Sequence, residues 1–364
     1  MSGDKQMQKP GDNAQQMQAG TMVVNNFFEG ITEQRAREIA NEQIQYALEQ
    51  YSKEAYKKGI ERVLRFMERF MEKILRIENA LQSFADPSFL NYLSDAQKSA
   101  AATDQEEDYD LLAELLACHI QNGKESKKRA AIHYAIKIVG EIASDALLGL
   151  TIAHALETIT PGTGVCTDGL ARIDNQLCKL LYMELPKGND WLDHLDILRA
   201  VRLASSKTSG LFYYYYSKKL NGYACAGIQD DSDEYKKSLD ILNKNKINPS
   251  IFIPNKCLEG FHRLAIWNKS LFDSPCFLKE ETHDCFTKEQ IVALKYILAM
   301  YRDEPHLKIK VMNGFSSLLS KYDTINQISH WWNSIPCGFS ITHVGHVLAH
   351  INAKRFDVDL SDSM

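Results

Sequence analysis

Between Ile60 and Leu81 the apolar positions alternate three and four residues apart, at Ile60, Val63, Met67, Phe70, Ile74, Ile77 and Leu81. That spacing keeps one stripe on one face of a helix, as knobs-into-holes packing requires. Backwards it reaches Tyr56, Lys53 and Glu49, where it fails, so the seam is about three heptads long. From Thr32, a candidate N-cap, to Leu81 there is no proline and only Gly59 inside. One very long helix, or two placed end to end, is therefore expected, spanning ~70 Å at ~1.5 Å per residue. Glu33/Arg37, Glu49/Lys53, Glu54/Lys58, Glu61/Arg65 and Glu72/Arg76 stand four apart in the favourable order and mark its wet face. The stripe has to be covered, by helices of the same chain or by another chain. Its seven residues are therefore the candidate interaction residues, for a protein partner or a homo-oligomer.

Shorter helices follow, each with its own punctuation. Asp86-Pro87 opens one as N-cap and first-turn proline, leading into Leu90, Leu93 and Ala96. Glu106, Glu107 and Asp108 form the acidic first turn of the next, which carries Leu111, Leu112, Leu115, Leu116 and Ile120 and stops at Asn122-Gly123. Striped segments continue through Ile132, Ile136 and Val139, and then from Ala146 to Ile159, until Pro161-Gly162-Thr163-Gly164 breaks the chain. Another helix runs from about Asp168 to Leu185, and one more begins near Asp190 after Pro186-Lys187-Gly188. Beyond Ser205 the pattern changes. Two β-prone runs, 211–216 and 223–228, flank Asn221-Gly222, which predicts a hairpin. A helix through Tyr235, Leu239 and Leu242, a loop-rich stretch to Thr287 and three helices near 288–301, 314–332 and 342–353 complete the pattern. The expected fold is mostly α. A flexible Gln/Asn-rich leader (1–30) precedes a helical bundle with a long helix (31–206) and a mixed, mainly helical C-terminal domain with a β-hairpin and closing helices (207–364).

Composition narrows the function classes. A net charge of −5 gives little general attraction to nucleic acid or anionic lipid. No apolar run reaches the ~18 residues of a membrane span, so no membrane association is expected. The eight cysteines are scattered without a C-x-x-C pair, which fits reduced thiols and a cytoplasmic location. The polar opening MSGDKQMQKPGDNAQQ predicts no secretory signal. After it, Met22–Phe28 is a short β-prone patch beside Gln15, Gln16 and Gln18, able to dock on its own protein or to stack between copies.

Signatures for phosphate loops, dinucleotide folds, metalloproteases and serine hydrolases are all absent, so no catalytic residue and no cofactor is assigned. Cys257, His262, Cys276, His283 and Cys285 gather five zinc-type ligands in a loop-rich stretch. They lack the closely spaced cysteine pair that nucleates structural sites, and a cryptic metal-dependent hydrolase is carried only as an alternative. His343, His346 and His350 share one face of the last helix. Trp191, Asp193, His194 and Asp196, with Arg199 and Arg202 close behind, look like parts of a hydrolytic site. Asp193 and His194 point ~100° apart on a helix, so a buried polar network is expected instead. Tyr213–Tyr216 offer stacking faces for bases, but a half-buried hairpin accounts for them. Phe339–Ile341 and the helix behind it are similar to the end of a winged helix, which makes nucleic-acid binding a second alternative through Lys308, Lys310, Lys321, Lys354 and Arg355.

The leader NAQQMQAGTMVVNNFFEGITEQRAREIA resembles openings found on assorted bacterial conflict and antiphage proteins, with Thr21 where those often carry a second glycine. DPSFLNYLSDAQKSAAAT and LLAELLACHIQNG are similar in layout to the helical Abi-alpha type of abortive-infection domain. With LPKGNDWLDHLDILRAVRL and ITHVGHVLAHINAKRFD, the whole chain looks like one bacterial family. The resemblance implies a cytosolic, non-enzymatic interaction, effector or sensor component of a phage-defence locus. It carries over no catalytic residue.

Overall fold

The computed structural model describes residues 30–49, 51–122, 126–204, 211–274, 285–358 and 360. The leader up to residue 29, including its β-prone patch, lies outside the described residues. In chain order the elements are α1 (Glu33–Leu48), α2 (Lys53–Ile74), α3 (Pro87–Ala102), α4 (Glu106–Asn122), α5 (Ser126–Ile138), α6 (Ser144–Thr158), α7 (Cys166–Leu180) and α8 (Asp190–Ile197). They continue with β1 (Val201–Ala204), α9 (Phe212–Lys219), β2 (Ile228–Gln229), α10 (Asp233–Lys244), β3 (Phe252–Pro254) and β4 (Phe261–Leu264). The last are α11 (Lys288–Ala299), α12 (Pro305–Leu319), α13 (Asp323–Ser334), β5 (Gly338–Ile341) and α14 (His343–Lys354). The protein is mostly α, with two small antiparallel sheets.

The N-terminal helices do not form a rod. Thr32 caps α1 through the Arg35 amide, and Ser52 caps α2 through the Ala55 amide, so the chain turns between them. Gln97 of α3 donates to the Ala40 carbonyl at 3.1 Å and lies 3.6 Å from the Met67 sulfur, while Gly59 packs on Leu48. Those contacts set α1 antiparallel to α2. Folding back buries Ala36, Ile39, Ala40, Ile44 and Leu48, which a single extended helix would leave wet. With 22 residues, α2 is the longest of the described helices.

The apolar stripe is spent inside the chain. Val63, Phe70 and Ile74 are fully buried and Met67 nearly so, against α3 and α4. Phe70 meets the rings of Phe66, Phe84 and Phe89 at 6.1–6.4 Å. Ile60, Ile77 and Leu81 are half-buried on the same core, the last two in the turns that follow α2. As a surface for a second chain the seam is therefore corrected: its own helices cover it. Arg65 and Arg69 pair with Glu106, and Lys73 with Glu114, fastening α2 to α4 along its edge.

Helix α6 is apolar or small nearly all round, and it lies buried along most of its length at the centre. Across it runs α14, which also packs on α5 and α4. The closing helices thus complete the core begun by the N-terminal ones, and a division at residue 206 does not separate two cores. A smaller, second core holds Ile228, Leu242, Phe252, Leu264, Phe272, Leu294 and Ile297, from α10, α11 and the sheet β2-β4-β3.

The tyrosine run forms α9 rather than a strand. Helical spacing stacks Phe212 on Tyr216 at 5.0 Å and Tyr215 on Trp332 at 5.0 Å. In a helix residues four apart stand one turn apart, close enough to stack, whereas along a strand the same pair would share a face but lie ~13 Å apart. Gly222 is not a hairpin turn: its amide donates to the Trp267 carbonyl, and a Cβ would stand 2.3 Å from the Ile266 carbonyl oxygen. The β-hairpin is β3–β4, with Phe252 opposite Leu264. Strand β5 pairs antiparallel with β1, far upstream, Val201 opposite Ile341. It leads straight into α14, with no second strand among the described residues to make a wing hairpin with it.

Candidate functional site

Two segments that read as unrelated polar clusters meet across the β1–β5 ladder. Helix α8 ends on Arg199, whose φ of 57° is left-handed, a conformation costing a non-glycine residue about 1–2 kcal/mol. The amides of Arg199 and Ala200 close that turn on the Asp196 and Leu195 carbonyls, and the chain leaves along β1. On the other side β5 feeds α14 through Thr342. The Thr342 hydroxyl donates to the Arg199 carbonyl at 2.7 Å and accepts the Gly345 amide, so it ties α8 to the first turn of α14. At Gly345 a Cβ would lie 2.1 Å from the Ala200 carbonyl oxygen, and only glycine permits so close an approach.

A pocket of about 580 Å³ opens at this junction, lined among others by Asp196, Arg199, Arg202, Thr342, His343 and His346. The Arg199 guanidinium lies 5.6 Å from the centre of the Tyr134 ring. Arg199 and Arg202 are exposed, and neither pairs with a carboxylate among the described residues. Asp196 is the one acid in the lining. Two unneutralised guanidiniums, two imidazoles and a helix N-terminus on one concave surface favour a small anion.

Behind the lining lies a second group of titratable residues. The Nδ1 atoms of His154, on α6, and His346 are 3.1 Å apart, and His350 lies 5.7 Å from the His154 ring. Burial, reinforced by the charges of His346, His350 and Lys219, holds His154 down to about 3. Burial also lowers His346, with His343 adding to the effect. Lys219 of α9 donates to the Leu156 and Ile159 carbonyls at 2.5 and 2.7 Å, satisfying the end of α6. Its burial pulls the ammonium down to about 7, opposed by Glu157. Glu157 stands on the outer edge of α6, and the surrounding protein still raises its carboxyl, with Lys219 pulling the other way.

The other sequence candidates fall elsewhere. Cys276 and His283 lie outside the described residues. Cys285 is disulfide-bonded, which departs from the expectation of reduced thiols throughout and removes it as a ligand. Cys257 is buried, and a hydrogen bond with the Cys166 thiol, together with burial, holds its own thiol above the ordinary value. His262 instead meets Asp230 at 2.6 Å. The Cys/His loop does not gather its described members into a metal site. His194 accepts the Ala143 amide at 3.1 Å, while Asp193, Asp196 and Arg199 are exposed, so no buried polar network forms there. Lys308 is paired with Asp303.

Sequence reasoning passed over His154 and Glu157. The signal was present at His154, a lone histidine in the mostly apolar stretch ALLGLTIAHALET. Its partner is 192 positions away, which no local pattern reveals.

A family model matches residues 30–363, which takes in every described residue. The chain belongs to that family. Membership assigns it no activity, substrate or partner. No curated protein matches the chain, and no solved structure does. No helix among the described residues is long and apolar enough to cross a membrane.

Proposed function

We propose that the protein is a sensor component of a bacterial antiphage defence system, one that binds a small anion and signals through protein contacts rather than by catalysis. The observation that carries the ligand half is the pairing of Arg199 and Arg202, both without a carboxylate partner among the described residues, with His343 and His346 in one pocket. A helix junction built on Thr342 and Gly345 suits a sensor, because an anion in the pocket would bridge α8–β1 and α14 where they already meet. The defence half rests on the likeness of the leader to conflict-protein openings and of the 86–123 region to abortive-infection helices. A cytoplasmic site of action follows from the same likeness. The partner is not the Ile60–Leu81 seam, which is covered, and is left to exposed faces such as Tyr46, Leu64 and Leu75 on α1, on α2 and just after it.

The test has two arms. Isothermal titration with orthophosphate, nucleotides and dicarboxylates should find at least one ligand, and the Arg199→Ala/Arg202→Ala double variant should bind it about 100-fold more weakly, at ~1.5 kcal/mol for each charge-assisted contact. In cells carrying the locus, the same variant should restore phage plating. Binding that survives the double variant would refute the pocket, and plating unaffected by deletion of the protein would refute the defence role.

A further inference from the structure

We propose that His154 and Glu157 of α6, together with His346 of α14, form a binding site for one divalent transition-metal ion, with zinc the best match to the ligand set. One potential ligand atom from each of the three lies within 4.8 Å of the others. His154 and Glu157 are one turn apart on α6, so their side chains leave the same face, and α14 brings His346 against them. In tetrahedral zinc sites two nitrogens at ~2.0–2.1 Å from the ion stand about 3.3–3.4 Å apart. The observed Nδ1 pair, at 3.1 Å, needs to open by only a few tenths of an ångström.

A simple N–H···N bond between neutral rings accounts for the two imidazoles alone. It leaves the Glu157 carboxylate at the same place with no hydrogen bond among the described residues. An ion uses all three groups. Two neutral imidazoles and one carboxylate are borderline donors of the kind zinc accepts, and three protein ligands leave a fourth position for water or an anion. His154 is kept neutral by its surroundings, the form that ligates. The opposing charge is Lys219, whose ammonium is turned to the Leu156 and Ile159 carbonyls. His350 and His343 add no negative charge, so Glu157 is the carboxylate that offsets the ion. Glu157 is exposed, which gives the ion a way in from solvent, while His154 is 1% exposed and holds the inner side rigidly. The site shares His346 with the anion pocket but needs neither Arg199 nor Arg202.

Metal-stripped, full-length protein titrated with Co²⁺ alone should develop the visible bands of four-coordinate cobalt at one equivalent, and Zn²⁺ should abolish them. Glu157→Gln, conservative and at the surface, should weaken Co²⁺ binding tenfold or more. His346→Ala should weaken it 100-fold or more, and His330→Ala, an exposed histidine elsewhere, should change nothing. Circular dichroism checks that each variant is folded; should His346→Ala fail that check, Glu157→Gln decides. Absence of one-equivalent binding by the parent protein, or binding that Glu157→Gln leaves intact, overturns the proposal. Either result leaves the anion titration with the arginine variant standing on its own outcome.

Discussion

Replacing Arg263 by Met should cost more stability than any other single charge removed from the described chain. Arg263 is 1% exposed and has no carboxylate partner among the described residues. Its Nη1 donates to the Gly222, Leu264 and Ile266 carbonyls at 3.2, 2.9 and 3.1 Å, and its Nη2 donates to Gly164 at 2.9 Å. Tyr223 lies under the guanidinium at 5.1 Å. One cation thus gathers the turn after α6, the loop after α9 and the end of β4. Hydrogen bonds to a charged donor are worth about 1.5–3 kcal/mol each, and four on one group do not add fully. Methionine fills much of the space and recovers the cost of burying a cation, several kcal/mol. The balance is a loss of about 3 kcal/mol, dominated by carbonyls left without donors. With an unfolding entropy of ~0.7 kcal/mol/K for a chain this long, the melting temperature should fall by about 4 °C. Urea unfolding gives the free energy, and an unchanged slope would show that the unfolded state is the same. Arg263→Lys, keeping the charge and losing the fork, should fall between the two. A Met variant within ~0.5 kcal/mol of the parent would refute the reasoning, because it would mean the carbonyls are satisfied another way.

Phe70→Ala should destabilise by about 3–5 kcal/mol without changing the mass seen by light scattering, because its ring is buried among Phe66, Phe84 and Phe89 of the same chain; a change of oligomeric state on this substitution would reinstate the seam as an interface. Lys219 titrates near 7 in the folded protein and near ~10.5 when unfolded. Below 7 it is charged in both states and the burial penalty is complete. Between these values the unfolded chain holds the extra proton, so stability rises with pH, by at most ~1.4 kcal/mol per unit. Lys219→Met should flatten that rise in a series of urea midpoints, whereas parallel curves for the two proteins would contradict the burial of the ammonium.

Local chemistry was legible where a single stretch of chain decides it. Thr32 and Asp86 cap the helices they announce, because a cap needs only its own next three residues. The seam showed in its period, and its burial followed from the cost of leaving it wet. The turn at Ser52 was harder to see, since a serine inside a helical pattern signals nothing until α3 offers a surface worth folding onto. The tyrosines misled because β-prone residues at 212–216 satisfy a helix once Trp332 and Asn333 of α13 are there to receive them. The pocket was half legible. Arg199 and Arg202 drew notice, and so did His343 and His346, but the register of β1 against β5 is what unites them. That register joins segments about 140 residues apart, and no periodicity encodes it.

The seating of α14 against α6, α5 and α4 bears on how the molecule is made. As the polypeptide leaves the ribosome, the earlier helices emerge with a greasy trough between them and nothing yet to fill it. Such a nascent intermediate is exposed to proteases and chaperones until Val347, Leu348 and Ile351 arrive. A stop codon ahead of residue 343 would therefore yield a product that is cleared, instead of a shortened but working N-terminal fragment.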